Sequence, residues 1–471
     1  MHQGHSWGGD DYALYIKEAE NISKGIPFYK TGFVFYDRNI CFSPPQYPPG
    51  FPLLLAPIVK IWGLSILPMC YFNTVLLVAL ILTVFAWLRK QMGDLSAICI
   101  SLLIGYSGIM IDIKQSVWSD LPCLLFVMLY LLYRRAAVFK PLRILLLMAL
   151  ATMAVMIRTQ AILLIGAEVL LLLSNAGMAL YKRQPLNKSI LLPGAYIIIG
   201  VTALHFVVNR FIFYTPISAG GFYLNYLKEV AHTGIPTLFR NNVNFLIQTI
   251  NGFFYYETDN GFRTALVTMM QSAGLSFTLI GFVVSVRKGI KIEDIFFCLM
   301  IGLMLYYPIH DSRYFLPAIA IVYYYCYLAL QKILPALSSV STRKTGVAIT
   351  LVCLLTGLRY MKSTTNPPVG YVPATKDFQA FRYIQTHVND SDIILFSRPR
   401  FLTLYTNKKS MVQAWLLPLE ENHKIFDSMH VKYALTVKGL ADDFNNHYLS
   451  EVQHPIDSVV IAEGYTLYRL R

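Results

Sequence analysis

Charge is what this chain has least of. Only 14% of its 471 residues are charged and 55% are hydrophobic, with a mean hydropathy of +0.50. Soluble globular chains carry about 25% charged residues, so a soluble fold is excluded and a membrane protein is expected. Cysteine is sparse as well. Of the seven, Cys70, Cys99, Cys123, Cys298, Cys326 and Cys353 lie in or beside apolar stretches and Cys41 alone in a polar one, which argues against a disulfide framework or a thiolate zinc site. No segment repeats at a fixed period, which weakens an inverted-repeat transporter reading. No glycine-rich phosphate loop opens a helix, which disfavours a nucleotide site. The excess of 40 Lys and Arg over 26 Asp and Glu is scattered between apolar runs, so no nucleic-acid partner is expected.

What the chain has in abundance is apolar runs. A bilayer core takes roughly 20 apolar residues per helix, and ten candidate spans follow: 68–88, 95–111, 117–133, 144–157, 159–180, 190–208, 264–286, 295–307, 314–330 and 346–360. The two that flank Arg158 also read as one long helix and a re-entrant piece. Alternate connections carry the basic groups Arg89/Lys90, Arg134/Arg135/Lys140/Arg143, Lys182/Arg183/Lys188, Arg287/Lys288/Lys291 and Lys332/Arg343/Lys344. The positive-inside rule puts these on the cytoplasmic face, leaving 1–51, 112–116, 209–263, 308–313 and everything after 362 outside. A polar tail outside without a signal peptide predicts a first transmembrane helix ahead of residue 1.

The expected fold class is an all-α polytopic membrane bundle of about ten helices with a small α/β domain on the outer face. Residues 1–67 form an outer loop with interfacial helices, 68–361 the bundle including the outer loop 209–263, and 362–471 the soluble domain. Within the first region, 11–24 reads as an amphipathic helix on the membrane surface. A second interfacial helix, 53–62, follows the Tyr47-Pro48-Pro49-Gly50 turn. The stretch 209–263, rich in Tyr, Phe, Asn and Gly, reads as a long binding loop. In the last region helices at 377–388 and 418–429 alternate with strands at 393–396, 411–414, 433–437 and 459–461.

Few residues stand out chemically. Asp10 and Asp11, at the water–membrane boundary, suit a general base or metal ligand, and equally the cap and first turn of a helix. Asp120, one turn into an apolar span near Asp112 and Lys114, is costly unless paired or wet, although Ser119-Asp120-Leu121-Pro122 is also a good helix start. Arg158 breaks the positive-inside trend on the outer side, where lipid phosphate is the available anion and snorkelling the plain alternative. Arg313 is similar. His310 and Asp311 beside it hint weakly at proton transfer or a metal, and more simply are loop residues. Glu168 faces the bundle interior without defining an ion path.

In order, these features resemble a family. GDDYALYIKEAENISKG followed by YPPGFPLLLAPIVKIWG is similar to the first outer loop of integral-membrane GT-C glycosyltransferases, with protein O-mannosyltransferases and bacterial aminoarabinose transferases nearest in pattern. WSDLPCLLFVMLYLLYRR resembles their second acidic motif, MIRTQAILL their basic helix junction, DSRYFLPAIAIVYYY their RYxxP motif, and FSRPRFLTLYTNK a motif of their C-terminal outer domain. The resemblance implies an inverting hexosyl- or pentosyltransferase that moves a sugar from a polyprenyl-phosphate carrier to a lipid, glycan or protein acceptor. It implies Asp10 as catalytic base supported by Asp11, Arg158 and Arg313 on the lipid phosphate, Asp120 as second acidic motif, and substrate contacts from Tyr47, His310 and Tyr314. Tyr47 stands where relatives often carry Lys or His before Pro-Pro. No nucleotide is needed, no cofactor is implied for certain, no metal ligand is assigned, and a divalent metal stays open. The implied location is a bacterial inner membrane, with the active site and C-terminal domain facing the periplasm. A flippase or transporter of lipid-linked sugars, or a surface-glycan polymerase or ligase, is the competing reading.

Overall fold

The computed structural model describes residues 10–36, 46–135, 140–183, 185, 188–213, 235–252, 261–307, 311–333, 375–414, 417–438, 448–450 and 455–470. The chain divides into two compact units. The described parts of 1–69, 213–229 and 367–471 form one, and those of 70–212 and 230–366 the other.

The first unit opens with α1 (Asp11–Ser23) and α2 (Gly50–Trp62). The surface placement expected of α1 is corrected. Tyr12 through Ala19 are buried without interruption, Lys17 and Glu18 included, because α1 packs on α2 along one side and on a C-terminal helix along another. A helix that is buried all round is a core helix rather than an interfacial one. By contrast, α2 keeps the two-faced character expected of it: Phe51, Leu55, Ile58 and Val59 are buried while Leu53, Ile61 and Trp62 are exposed.

The second unit is helical: α3 (Ile66–Leu88), α4 (Asp94–Gly105), α5 (Gly108–Lys114), α6 (Asp120–Arg134), α7 (Pro141–Ile157), α8 (Leu163–Tyr181), α9 (Lys188–Val207), α10 (Ile235–Gly252), α11 (Gly261–Arg287), α12 (Ile292–Tyr306) and α13 (Ile319–Ile333). The count of ten spans is corrected. Among the described residues, four stretches are long and apolar enough to cross a membrane: Ile66–Leu88, Thr159–Tyr181, Leu191–Ile212 and Ser312–Ile333. A fifth arises if α4 and α5, bent by 57°, are one span. The shortfall has a plain cause. Helices α6, α7 and α12 run only 15, 17 and 15 residues, below the length that a bilayer core asks for, and 346–360 lies outside the described residues. The chain does break at Arg158, whose extended backbone (φ −147°, ψ 130°) separates α7 from a 3₁₀ turn (Thr159–Ile162) and α8.

The stretch read as a loop at 209–263 contains α10, a second correction. Asn242, Leu246, Thr249 and Ile250 recur at helical spacing and are buried, and Asn242 donates both amide hydrogens to the carbonyls of Leu305 and Tyr307 (3.0 Å each) at the end of α12. An asparagine that satisfies helix-end carbonyls looks like loop composition in a sequence. Residues 214–234 and 253–260 lie outside the described residues. Ion pairs with buried carboxylates tie the helices together, Glu168 to Arg134 and Glu293 to Arg135, and the Tyr130 hydroxyl donates to Glu168.

The rest of the first unit is the C-terminal α/β domain: α14 (Thr375–His387), β1 (Ile393–Leu395), α15 (Pro399–Thr406), β2 (Lys409–Met411), α16 (Leu419–Ser428), β3 (Val431–Val437), β4 (Asp457–Ala462) and β5 (Tyr465–Arg469). The sheet order is β2-β1-β3-β5-β4, parallel on the β2-β1-β3 side and antiparallel across β3-β5-β4. Leu395, Met411, Phe426, Val431, Ala434 and Tyr448 form its core. Residues 32–34 lengthen the sheet beside β2 through Val34 N–H to the Ser410 carbonyl (2.8 Å) and Ser410 N–H to the Gly32 carbonyl (3.1 Å). Gly32 has φ +83°, and a Cβ there would meet the Lys408 carbonyl at 3.2 Å, so only glycine fits this close approach.

Candidate functional site

Two clusters hold the chemistry-bearing residues, one in each unit. In the helical unit, Asp120 begins α6 with its side chain 1% exposed, and its Oδ1 accepts from Arg158 Nη1 at 2.5 Å. Its other oxygen lies 4.0 Å from Arg313 Nη1. Arg313 sits in a 3₁₀ turn (Ser312–Ala318) that Asp311 caps, taking the Arg313 N–H at 2.9 Å and its Nε at 2.7 Å. Aromatic faces flank both guanidiniums, Tyr314 at 5.2 Å from Arg158 and Trp118 at 4.3 Å from Arg313. Arg158 and Arg313 are 15% and 25% exposed, so each keeps a partly open edge, as does Asp311 at 24%, while Asp120 does not. The fold therefore brings together Asp120, Arg158, Arg313 and Tyr314. His310 lies outside the described residues.

Local sequence explains the arrangement. Arg158 is where α7 stops, so its side chain leaves a helix end rather than a helix flank. The Asp311–Arg313 pair is a capped turn that fixes the guanidinium two residues on, an arrangement open to short polar side chains at turn starts.

In the first unit, Asp10 precedes α1 and is buried. It does not cap its own helix. Its two carboxylate oxygens accept the N–H groups of Arg400 and Phe401, at 2.8 Å each, at the start of α15. Carboxylates suit helix N-termini because of the exposed N–H groups and the dipole there. Burial still dominates and raises the Asp10 pKa to about 6, against the opposing charges of Arg400 and Arg398 and the two N–H bonds. Asp11, 33% exposed, pairs with Arg400 Nη1 at 3.3 Å, and Arg400 itself is 0% exposed. The Arg400 guanidinium lies 4.8 Å from the Phe33 ring and 5.5 Å from that of Tyr47. Tyr47 stacks on Tyr15 (4.5 Å) and gives its N–H to Glu18 Oε1 (3.0 Å). Glu18 is fully buried, its Oε2 has no hydrogen-bond partner, and burial pushes its carboxyl well above the ordinary range. The sequence reading assigned no role to Arg400, Glu18, Trp118 or the Asp311–Arg313 pairing. The Ser397-Arg398-Pro399-Arg400 run was the available signal, since proline at a first helical position marks a helix start.

A divalent ion of the hard type takes about six or more oxygen ligands. Among the described residues no group of three or more His, Cys, Asp or Glu side chains gathers as such an ion requires. The Asp10–Asp11 pair does not fit that role by itself, because both Asp10 oxygens already serve peptide N–H groups.

No protein-family model matches the sequence, and no curated protein matches it by sequence. Solved structures do match. The Archaeoglobus fulgidus oligosaccharyltransferase, in complex with zinc and sulfate, aligns with TM-score 0.58 and 14% identity over 92% of this chain and 65% of its own. The same organism's AglB, with an inhibitory peptide and a dolichol-phosphate, gives 0.52 and 12% over 93% and 66%. ArnT from Cupriavidus metallidurans, bound to undecaprenyl phosphate, gives 0.52 and 11% over 99% and 94%. This chain thus spans about two-thirds of the archaeal proteins and nearly all of ArnT. At such identities the likeness is one of fold alone.

Proposed function

We propose that this protein is an inverting membrane glycosyltransferase that moves a sugar from a polyprenyl-phosphate carrier to an acceptor hydroxyl on the outer face of a bacterial inner membrane. The observation that carries the reading is the pair of partly exposed guanidiniums, Arg158 and Arg313, gathered over one buried carboxylate, Asp120. Such a pair can receive a phosphate while Asp120 keeps the site from being strongly cationic when the donor is absent. The binding of undecaprenyl phosphate by ArnT and of dolichol-phosphate by AglB, proteins of the same fold, supports that ligand class.

In this reaction the acceptor oxygen attacks the anomeric carbon from the face opposite the carrier. The bond from that carbon to the phosphate oxygen breaks, the electron pair leaves with the carrier, and the acceptor proton passes to a carboxylate. With the arginines neutralising the leaving phosphate, one positioned carboxylate completes the chemistry. Asp10 takes the proton in this reading, since a carboxylate whose pKa stands near 6 is well matched to neutral pH. Exposure favours Asp11 as the alternative base, because it is the more open of the two. The sugar, hexose or pentose, and the acceptor are for experiment to name. Membranes containing the protein, incubated with a panel of polyprenyl-phosphate-linked sugars, should release free polyprenyl phosphate in an acceptor-dependent manner. Absence of carrier release across the panel, with the protein folded, refutes the transferase reading. Carrier-linked sugar crossing the membrane unhydrolysed supports the flippase reading instead.

A further inference from the structure

We infer that Arg400, on the C-terminal α/β domain, is the positioning residue of the carboxylate pair, holding Asp10 with its main chain and Asp11 with its side chain. The inference rests on the reading of that pair as the source of the base. It gives the C-terminal domain a part in the reaction rather than a place beside it.

The argument starts from what a cap alone requires. Among the described residues Asp10 accepts only the main-chain N–H groups of Arg400 and Phe401, and any residue other than proline offers such a group. Holding Asp10 would therefore be served by an apolar side chain at position 400, which would bury without penalty. A guanidinium withdrawn wholly from water is costly, and it persists only with good partners. The partners here are the Phe33 and Tyr47 rings and the carboxylate of Asp11. Asp11 is also the member of the pair that is open to the outside. A wholly buried guanidinium thus serves Tyr47 and, through Nη1, a partly exposed carboxylate, which is not what stability alone would select. Arg400 has a second effect through its charge. It opposes the burial that raises the Asp10 pKa, together with Arg398, while Asp11 and Tyr12 on the neighbouring helix supply the titratable groups on the other side.

The test uses the full chain with Arg400→Gln and Arg400→Lys. For transfer from polyprenyl-phosphate sugar, Arg400→Gln should lower kcat by about tenfold to a hundredfold, the loss of one charge-assisted bond to the supporting carboxylate Asp11 and of a cation beside Asp10, with donor KM little changed. The acid limb of its pH–rate profile should move to higher pH, whereas Arg400→Lys should keep the limb in place and recover only part of the rate, since it keeps the charge without the fork. A readout free of activity runs in parallel: carbodiimide-plus-amine labelling of Asp10 and Asp11, followed by mass spectrometry across pH. Arg400→Gln should extend Asp10 labelling to higher pH. A folded Arg400→Gln with parental rate, pH limb and labelling overturns the inference. If that variant does not fold, a fully parental rate in Arg400→Lys overturns it. If the parent transfers no sugar, the transferase reading fails while labelling still decides the role of Arg400.

Discussion

The two clusters use the same pair of residue types in opposite senses. In the first unit the arginine is buried, Arg400 at 0%, and of its two carboxylates Asp10 is buried and Asp11 is partly exposed at 33%. In the helical unit the carboxylate is buried and the arginines partly exposed, Asp120 at 1% under Arg158 at 15% and Arg313 at 25%. Each pair has a buried member, so breaking it is costly, and the two arrangements differ in the sign of the member that keeps some exposure. One cluster presents an acceptor of protons, the other a receiver of anions. That asymmetry is what the proposed reaction asks of a base and of a phosphate site.

The largest expected effect tests the acidic cluster. Asp10→Asn should lower turnover by about 10²–10⁴-fold, as loss of a general base does. An asparagine has one acceptor oxygen for the two N–H groups that Asp10 now serves, so a melting measurement should also register a loss of about 1 kcal/mol. Asp11→Asn should cost less turnover and little stability. If the order of the two rate losses is reversed, the base is Asp11; if both variants turn over like the parent, the acidic cluster is only structural.

Next in size is the basic cluster. Arg158→Ala and Arg313→Ala should each weaken donor use by roughly tenfold to a hundredfold, equivalent to about 1.5–3 kcal/mol, with partial rescue by lysine. Arg158→Ala should also destabilise the fold, because Asp120 stays buried with its remaining cation 4.0 Å away. Asp120→Asn should act in the opposite direction on polyprenyl phosphate, tightening its binding by about tenfold or less, since solvent screens the exposed edges. Unchanged donor KM in both alanine variants would remove the phosphate assignment, and with it the contrast between the clusters.

The smallest effect is on stability against pH. Asp10 titrates at about 6 in the folded chain and at 3.8 in its absence. The folded state therefore binds the extra proton between those values, and the contribution of Asp10 to stability, full below about pH 4, is lost as pH rises through 6. Asp10→Asn should remove this slope, so the parent-minus-variant difference in melting temperature should change between pH 4 and 6 and be flat above. A flat difference throughout places Asp10 in a more solvated setting.

The basic cluster was the more legible of the two. Asp120, Arg158 and Arg313 interrupt apolar sequence, where a charge must have a reason, and the fold brings all three together. Arg400 sits in a polar domain where an arginine draws no notice, and its partners Asp10 and Asp11 lie about 390 residues away in sequence. No local pattern reports such a contact. Helix α15 was missed for the same reason: eight residues are too few for periodicity, and its cap comes from the other end of the chain. Helix α10 was missed because asparagine that serves a neighbouring helix end resembles the composition of a loop. The strands at β1, β3 and β4 were read close to their observed places, whereas the one expected at 411–414 shares only Met411 with β2 (Lys409–Met411), and β5, whose alternation of Tyr465, Leu467 and Arg469 is short, was missed.

Helix α1 grips α15 at both ends, Asp10 at its first N–H groups and Lys17 at Asn407, where the backbone turns left-handed (φ +59°). Ribosomes add roughly 5–20 residues per second, so about 20–80 s separate the emergence of the two halves of this contact. Throughout that interval the beginning of the chain waits, its acidic pair without the N–H groups that will hold it. The contact that holds Asp10 and Asp11 is thereby made only after α15 has been synthesised, so the placement of the acidic pair is a late event in the life of the nascent chain.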